Sequence, residues 1–145
     1  MNEVTEGQAV IVTERRHLLA YEEGTVTRAK PDSDGRVRVH FDTVDGEPHN
    51  PEDWWAVELS CLGAMPIVGA RHEWTYQSNA VRVPFTVGAR FPKGHRFAGL
   101  FQILSDDASL AQISNGHTAI ASAAELASYT MRLSVATDAE VAAEL

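Results

Sequence analysis

The chain has 145 residues, of which 44% are hydrophobic and 22% charged, the composition of an ordinary folded protein, so intrinsic disorder and collagen-like repetition are excluded. Twenty acidic residues against twelve Lys and Arg leave a net charge of -8, which opposes binding to duplex nucleic acid and favours a basic or neutral partner. No apolar stretch approaches the roughly 20 residues of a membrane span, and the N-terminus is acidic and polar, so we expect a cytoplasmic protein without membrane contact.

Alternating apolar and polar residues predict that the first half is mostly β. Four strands are predicted, at 8–13, 24–30, 36–41 and 54–60. The third should turn one apolar face to a core, because Val37, Val39 and Phe41 share parity along the strand. A tight turn is predicted at 31–35, where Pro, Asp and Gly occur together, and a solvated loop at 42–53, which contains two Pro, one Gly and five acids.

The second half repeats the first in weak form. Asn115-Gly116 resembles Asp34-Gly35, the segment 124–128 resembles the predicted strand at 57–60, and 129–136 alternates as a strand. This order predicts two modules, at 1–64 and 65–145, with the second a degenerate repeat that ends in a short helix at 138–145 capped by Asp138. A single larger β-domain is the alternative, because no Pro-rich or Gly-rich linker separates the halves.

Residues 4–62 resemble the small barrels of the Src-homology-three superfold, in particular the Tudor and KOW types. The residues that carry the resemblance are the strand after Gly7, Gly24-Thr25-Val26, the arm from Asp34 to Asp42, the tryptophans, and Val57-Glu58-Leu59. The resemblance implies one or two small antiparallel barrels in a mostly β chain. It also implies binding without catalysis, with the ligand near the first and third connecting loops, here 14–23 and 42–53.

Motifs of common enzymes are absent, since the sequence contains no G-x-S-x-G, no G-x-x-x-x-G-K and no H-E-x-x-H. Neighbouring histidines stand 9 to 23 residues apart, so none form the short-range pairs of local metal sites. Folding could gather His40 and His49 near Cys61, but surface histidines are the simpler interpretation. We therefore expect a non-catalytic protein with no cofactor and no metal.

Aromatic and acidic residues concentrate in the loops that a barrel would bring to one side. Exposed rings beside carboxylates attract Arg or Lys, and an aromatic groove also accepts proline-rich segments. Trp54 and Trp55 are adjacent in a strand, so one should face out; Trp55 shares parity with Val57 and is expected to face inward. The candidate ligand-binding residues are Tyr21, Glu22, Glu23, Asp42, Asp53 and Trp54.

Three functions fit these observations. The first is a protein-binding or adaptor module for a partner with a basic or proline-rich surface. The second is a virion structural or accessory subunit that forms homo-oligomers, because residues 1–64 carry thirteen acids against six cations whereas 65–145 carry seven against six. The third is single-stranded nucleic-acid binding by the stretch 71–101, which interleaves cations and aromatic rings. Ten Arg against two Lys indicate a GC-rich bacterium or its phage, and hence a bacterial cytoplasm or a virion.

Overall fold

The computed structural model describes residues 1–76, 81–104, 118–128, 134–136 and 140. Their fold is mostly β, with antiparallel sheets and one short α-helix, as the sequence predicts. Contacts divide the chain into two compact units, unit 1 (Met1–Met65) and unit 2 (Pro66–Leu145). No helix among the described residues is long and apolar enough to cross a membrane.

Unit 1 is built on one five-stranded antiparallel sheet. The sheet contains β1 (Ala9–Val12), β2 (Glu23–Arg28), β3 (Arg36–His40), β6 (Trp55–Glu58) and β7 (Leu62–Ala64), and a separate two-stranded sheet contains β4 (Thr43–Val44) and β5 (Glu47–Pro48). The sheet has the order β6-β3-β2-β1-β7, so that the last strand returns to pair with the first. A turn of 3-10 helix at Leu59–Cys61 connects β6 to β7.

The sequence prediction for unit 1 needs two corrections. The segment 42–53 is not a loop throughout, because β4 and β5 form a small hairpin within it. Asp45 and Gly46 turn this hairpin with φ values of 52° and 80°, the left-handed conformations that an Asp-Gly turn favours. The predicted strand at 54–60 is shorter, since it ends at Glu58, and the three-residue β7 that follows was not predicted.

The core of unit 1 follows the period of two in β2 and β3, whereas β1 buries the three consecutive residues Val10, Ile11 and Val12. Val37 and Val39 of β3 are buried, and Phe41 continues the same face beyond the strand, as predicted. Val26 joins them from β2, and the described core is completed by Val10, Val12, Leu19, Val57 and Leu62.

Strands β2 and β3 approach each other closely at Gly24. A Cβ atom at this position would stand 2.7 Å from both the carbonyl oxygen of His40 and Cγ1 of Val39. Further along, the register shifts between Val26 and Arg28, which inserts an extra residue into β2. A β-bulge of this kind bends the strand and increases its twist, which curves the sheet around the core.

Unit 2 forms a second five-stranded antiparallel sheet, with the order β12-β11-β10-β9-β8. Its elements are β8 (Arg71–Tyr76), β9 (Val81–Arg90), β10 (Phe101–Leu104), β11 (Thr118–Ala121), α1 (Ala123–Ser128) and β12 (Ser134–Ala136). Of the predicted strand at 129–136, residues 134–136 are described, and they are β12. The turn at 115–116 and the helix at 138–145 lie outside the described residues, apart from helical Glu140.

The segment 124–128 is helical, so its interpretation as a counterpart of the strand at 57–60 is wrong. Ser122 and Glu125 explain the helix by forming a reciprocal capping box. The Ser122 hydroxyl accepts a hydrogen bond from the Glu125 amide at 3.1 Å, and Glu125 Oε1 accepts one from the Ser122 amide at 3.4 Å. A pair of this kind provides hydrogen-bond acceptors for amides that have no partner within the first turn of a helix.

Candidate functional site

The six candidate residues lie at one end of three neighbouring strands of the unit 1 sheet, β2, β3 and β6. Because β3 runs antiparallel to both β2 and β6, its end lies beside the beginnings of those two strands. Residues 13–23 lead into β2, and residues 41–54 connect β3 to β6. We call these two segments together the rim. They include all six candidates, namely Tyr21, Glu22, Glu23, Asp42, Asp53 and Trp54.

The two segments of the rim are in direct contact. The amide of Asp45, in the turn of the β4–β5 hairpin, donates a hydrogen bond to Glu22 Oε1 at 3.2 Å. The carboxylate of Glu22 therefore holds the hairpin against the first segment, while Glu23 is exposed at the start of β2. The predicted convergence of the two loops is explained by this contact between residues 23 positions apart.

Asp42 and Asp53 are brought together by His40. The imidazole Nδ1 of His40 lies 2.7 Å from the carbonyl oxygen of Asp53, and Nε2 lies 3.1 Å from Asp42 Oδ1. The amide of His49 also donates to the Asp42 carbonyl at 2.8 Å, which closes the base of the β4–β5 hairpin.

His40 thus positions Asp42 and the Asp53 carbonyl, whereas the sequence suggested a surface histidine or, less simply, a metal ligand. Among the described residues, no group of three or more His, Cys, Asp or Glu side chains is arranged to hold a metal ion. The sequence signal that could have indicated the contact with the rim is the alternation of β3. Arg36, Arg38 and His40 share the outward face of that strand, and His40 stands at the end that adjoins the rim.

Trp54 and Trp55, at the start of β6, lie on opposite faces of the sheet. Trp55 is half-buried and packs against the unit 1 core, whereas the adjacent Trp54 is 47% exposed. The guanidinium of Arg38 lies over the Trp54 ring, with Cζ 4.1 Å from the ring centre. One face of the outward ring therefore already contacts a cation from the same unit, an interaction that the sequence did not suggest.

Tyr21 presents a second exposed aromatic ring, with 54% of its surface accessible. Its φ of 66° places it in the left-handed region, and its amide donates to the carbonyl of Val12 at 2.8 Å. Leu18 in the same segment is 82% exposed and was missed by the search for aromatic and acidic residues. A side chain of this kind is found by exposure in the folded chain and not by residue type.

The rim is strongly acidic. Two cations of the rim, Arg15 and Arg16, precede Leu18, whereas most of the acids lie beyond Tyr21. Coulomb attraction at a solvated surface extends over about 8 to 10 Å at physiological salt, so a carboxylate within that distance of an exposed ring attracts a cation at the ring. The eight acidic residues of the rim are Glu14, Glu22, Glu23, Asp42, Asp45, Glu47, Glu52 and Asp53.

The basic stretch of unit 2 is organised differently from the rim. Phe85 and Phe91 are buried, so neither ring is available for stacking with a base. Arg90 donates from Nε to the carbonyl of Gly99 at 3.0 Å, and Arg96 forms a 2.9 Å ion pair with Glu140. The side chains of Trp74, Tyr76 and Arg82, which the nucleic-acid hypothesis also uses, lie outside the described residues.

Comparison with protein-family models, with curated proteins and with solved structures finds no match to this chain.

Proposed function

We propose that unit 1 is a small β-barrel of the Src-homology-three-like type that binds a partner protein at the rim without catalysing a reaction. Two features of the sheet support the barrel: the bulge that bends β2 against β3, and the return of β7 to pair with β1. The proposed setting is the cytoplasm of a GC-rich bacterium or of a bacterium that hosts the phage encoding the protein.

The observation that carries the proposed function is the presence of two exposed aromatic rings at one acidic edge. Tyr21 and Trp54 leave about half of their surfaces accessible, at 54% and 47%. Exposed aromatic rings are enriched among residues that contribute most to protein interfaces. The surrounding carboxylates select a positively charged ligand, so the partner segment should be basic, proline-rich, or both.

Binding of synthetic peptides to the full chain tests the proposal. We would titrate three peptides of equal length, one rich in Arg and Lys, one that alternates Pro with Arg, and one of Gly and Ser, by calorimetry at two salt concentrations. The cationic peptides should bind and should bind more weakly at the higher salt, because surface charges are screened. Equal affinity for the Gly and Ser peptide, or no binding of any peptide, would contradict the proposal.

A pair of charge-neutralising variants locates the binding surface. Asp45→Asn removes a rim carboxylate at a position with φ of 52°, a conformation that Asn tolerates. The variant should lower the affinity for the cationic peptides about 2- to 5-fold. Asp34→Asn removes the same charge from the turn that precedes β3, at the opposite end of that strand. It should leave the affinity unchanged. An equal loss of affinity in both variants would indicate that the peptides are attracted by the net charge of the chain and that the rim is not a specific binding site.

A second copy of the chain is the alternative partner. Light scattering of the protein alone distinguishes it, because assembly of copies through opposite charges raises the mean mass with protein concentration and lowers it with salt. A constant monomer mass under these conditions favours a separate partner.

A further inference from the structure

Two loops of the chain share one arrangement. Residues 13–22 connect β1 to β2 in unit 1, and residues 91–100 connect β9 to β10 in unit 2. Each contains a histidine, any residue, a large apolar residue and an alanine, in the order His17-Leu18-Leu19-Ala20 and His95-Arg96-Phe97-Ala98.

The histidine side chain makes the same hydrogen bond in both loops. Nδ1 of His17 accepts from the amide of Leu19 at 2.9 Å, and Nδ1 of His95 accepts from the amide of Phe97 at 3.0 Å. The histidine carbonyl also accepts from the alanine amide three residues later, at 3.1 Å in the first loop and 2.9 Å in the second. In each loop the histidine thus binds the backbone of its own turn twice.

The rest of the turn agrees as well. The fourth residue after the histidine has a positive φ in both loops, 66° at Tyr21 and 83° at Gly99. The apolar residue two positions after the histidine anchors the loop, since Leu19 is buried and Phe97 packs against the core of its unit. We call this arrangement the histidine-framed loop. The loops differ before the histidine, because four residues separate His17 from Val12, whose carbonyl accepts from the Tyr21 amide, whereas three separate His95 from Phe91, whose carbonyl accepts from the Gly99 amide.

The two loops hold equivalent places in their sheets. If β1, β2, β3 and β6 correspond to β9, β10, β11 and β12, the two sheet orders are the same. The fifth position is occupied by β7 in unit 1, which follows the other strands in sequence, and by β8 in unit 2, which precedes them. The recurrence of the loop therefore accompanies a recurrence of the sheet around it.

What differs between the loops is the pair of side chains that the frame presents outward. In unit 1 these are Leu18 and Tyr21, both exposed and both largely apolar. In unit 2 the same positions hold Arg96, which pairs with Glu140 and covers Phe97, and Gly99, which has no side chain. A single exposed leucine is ordinary on a protein surface, but here it shares a hydrogen-bonded turn with an exposed tyrosine.

We propose that the histidine-framed loop presents specificity-determining residues, and that Leu18 and Tyr21 bind the apolar part of a basic, proline-containing peptide segment. The inference rests on the proposed function of the rim. The chemistry of the segment follows from charge, because the rim has eight acids against two cations and Glu22 and Glu23 adjoin Tyr21. Arg15 and Arg16 lie on the Leu18 side, so the cations of the segment are expected beside Tyr21 and its apolar residue beside Leu18. His17 is a positioning residue for this pair.

The presented pair is tested with Leu18→Gln/Tyr21→Gly, which keeps the charge of the rim and introduces the glycine that unit 2 has at the positive-φ position. Glycine adopts this φ without strain, so the variant should keep the melting temperature of the unchanged chain. Its affinity for the Pro and Arg peptide should fall at least about 10-fold. Ile67→Gln is the control, because Ile67 is an exposed apolar residue outside the rim, and it should bind as the unchanged chain does.

The frame is tested with two variants of His17. Asn carries an oxygen near the position of Nδ1 that accepts an amide two residues on, so His17→Asn should keep the slow hydrogen exchange of the Leu19 amide and the affinity for the peptide. His17→Ala has no acceptor. It should lose both properties, and the affinity should fall about 5-fold or more.

The outcomes separate this inference from the function on which it rests. If the unchanged chain binds none of the peptides, the proposed function is wrong and the inference is wrong with it. If the unchanged chain binds and the double variant binds equally well, the rim still binds a partner but Leu18 and Tyr21 do not determine it. If His17→Asn and His17→Ala have the same affinity, His17 does not position the pair.

Discussion

The guanidinium of Arg38 lies 4.1 Å from the centre of the Trp54 ring, so the indole of the rim is already in contact with a cation. Arg38 projects from the outward face of β3, and Trp54 immediately precedes β6, the neighbouring strand. A ligand cation that approaches the same face of the ring must compete with Arg38. The rim therefore contains an internal competitor for the interaction that is proposed to bind its partner.

Removal of this competitor should increase affinity. An exposed cation–π contact contributes about 0.5 to 1 kcal/mol, so Arg38→Gln should strengthen binding of the Arg and Lys peptide about 2- to 5-fold, measured by calorimetry. Arg36→Gln is the control, since Arg36 lies on the same face of β3 and pairs with Glu58 at 3.8 Å. A weaker affinity after Arg38→Gln would show that Arg38 shapes the site and does not compete for it.

The two tryptophans should respond differently to truncation. Trp55→Ala removes a ring that packs on the unit 1 core and should lower the free energy of unfolding by about 3 kcal/mol. Trp54→Ala removes a half-exposed ring and should cost less than about 1 kcal/mol while it weakens peptide binding. Urea unfolding followed by circular dichroism measures both variants. Equal costs would mean that β6 is buried on both faces and that the outward ring belongs to the core.

Gly24 should not tolerate a methyl group. A Cβ atom there would stand 2.7 Å from the backbone oxygen of His40, and neither strand can move apart without loss of the β2–β3 pairing. Gly24→Ala should therefore destabilise unit 1 by about 1 to 3 kcal/mol, measured by urea unfolding. The neighbouring Thr25 is exposed, and Thr25→Ala should change the stability by only about 0.5 kcal/mol. Comparable effects at the two positions would show that close strand contact is not the cause.

Asp32 should make the turn before β3 sensitive to acid. Hydrogen bonds from the amides of Arg36 and Asp34 to its carboxylate lower the pKa of Asp32 from the ordinary value of 3.8. Because the pKa is lower in the folded chain than in the unfolded chain, the stabilisation is present above about pH 3.8 and is lost as the pH falls through the folded value.

The variant Asp32→Ala isolates this contribution. At neutral pH it should unfold at a lower urea concentration than the unchanged chain, and the difference should shrink steadily as the pH falls below about 4. Asp34→Ala removes a carboxylate two residues away and serves as the control for general charge effects. If the urea midpoints of Asp32→Ala and the unchanged chain differ by the same amount at neutral and at acidic pH, the hydrogen bonds to the Asp32 carboxylate are not the cause of the difference.

Much of unit 1 was predictable because strands alternate with a fixed period. Val37, Val39 and Phe41 face the core whatever lies opposite them, and the same parity rule places Trp55 inward and Trp54 outward. The β4–β5 hairpin carried a local signal too, since Asp45-Gly46 is a favoured hairpin turn, but the density of acids and prolines in 42–53 led to the prediction of a loop.

The amino-acid sequence by itself therefore determined four strands of unit 1, the apolar face of β3 and the acidic character of the rim. Only the tertiary structure decided which side chains meet: Arg38 with Trp54, Glu22 with Asp45, and His40 with both Asp42 and Asp53. The reason is that periodicity specifies the side of a strand on which a residue lies, whereas contacts across a sheet depend on strand order and register. Those are set when distant segments pack together.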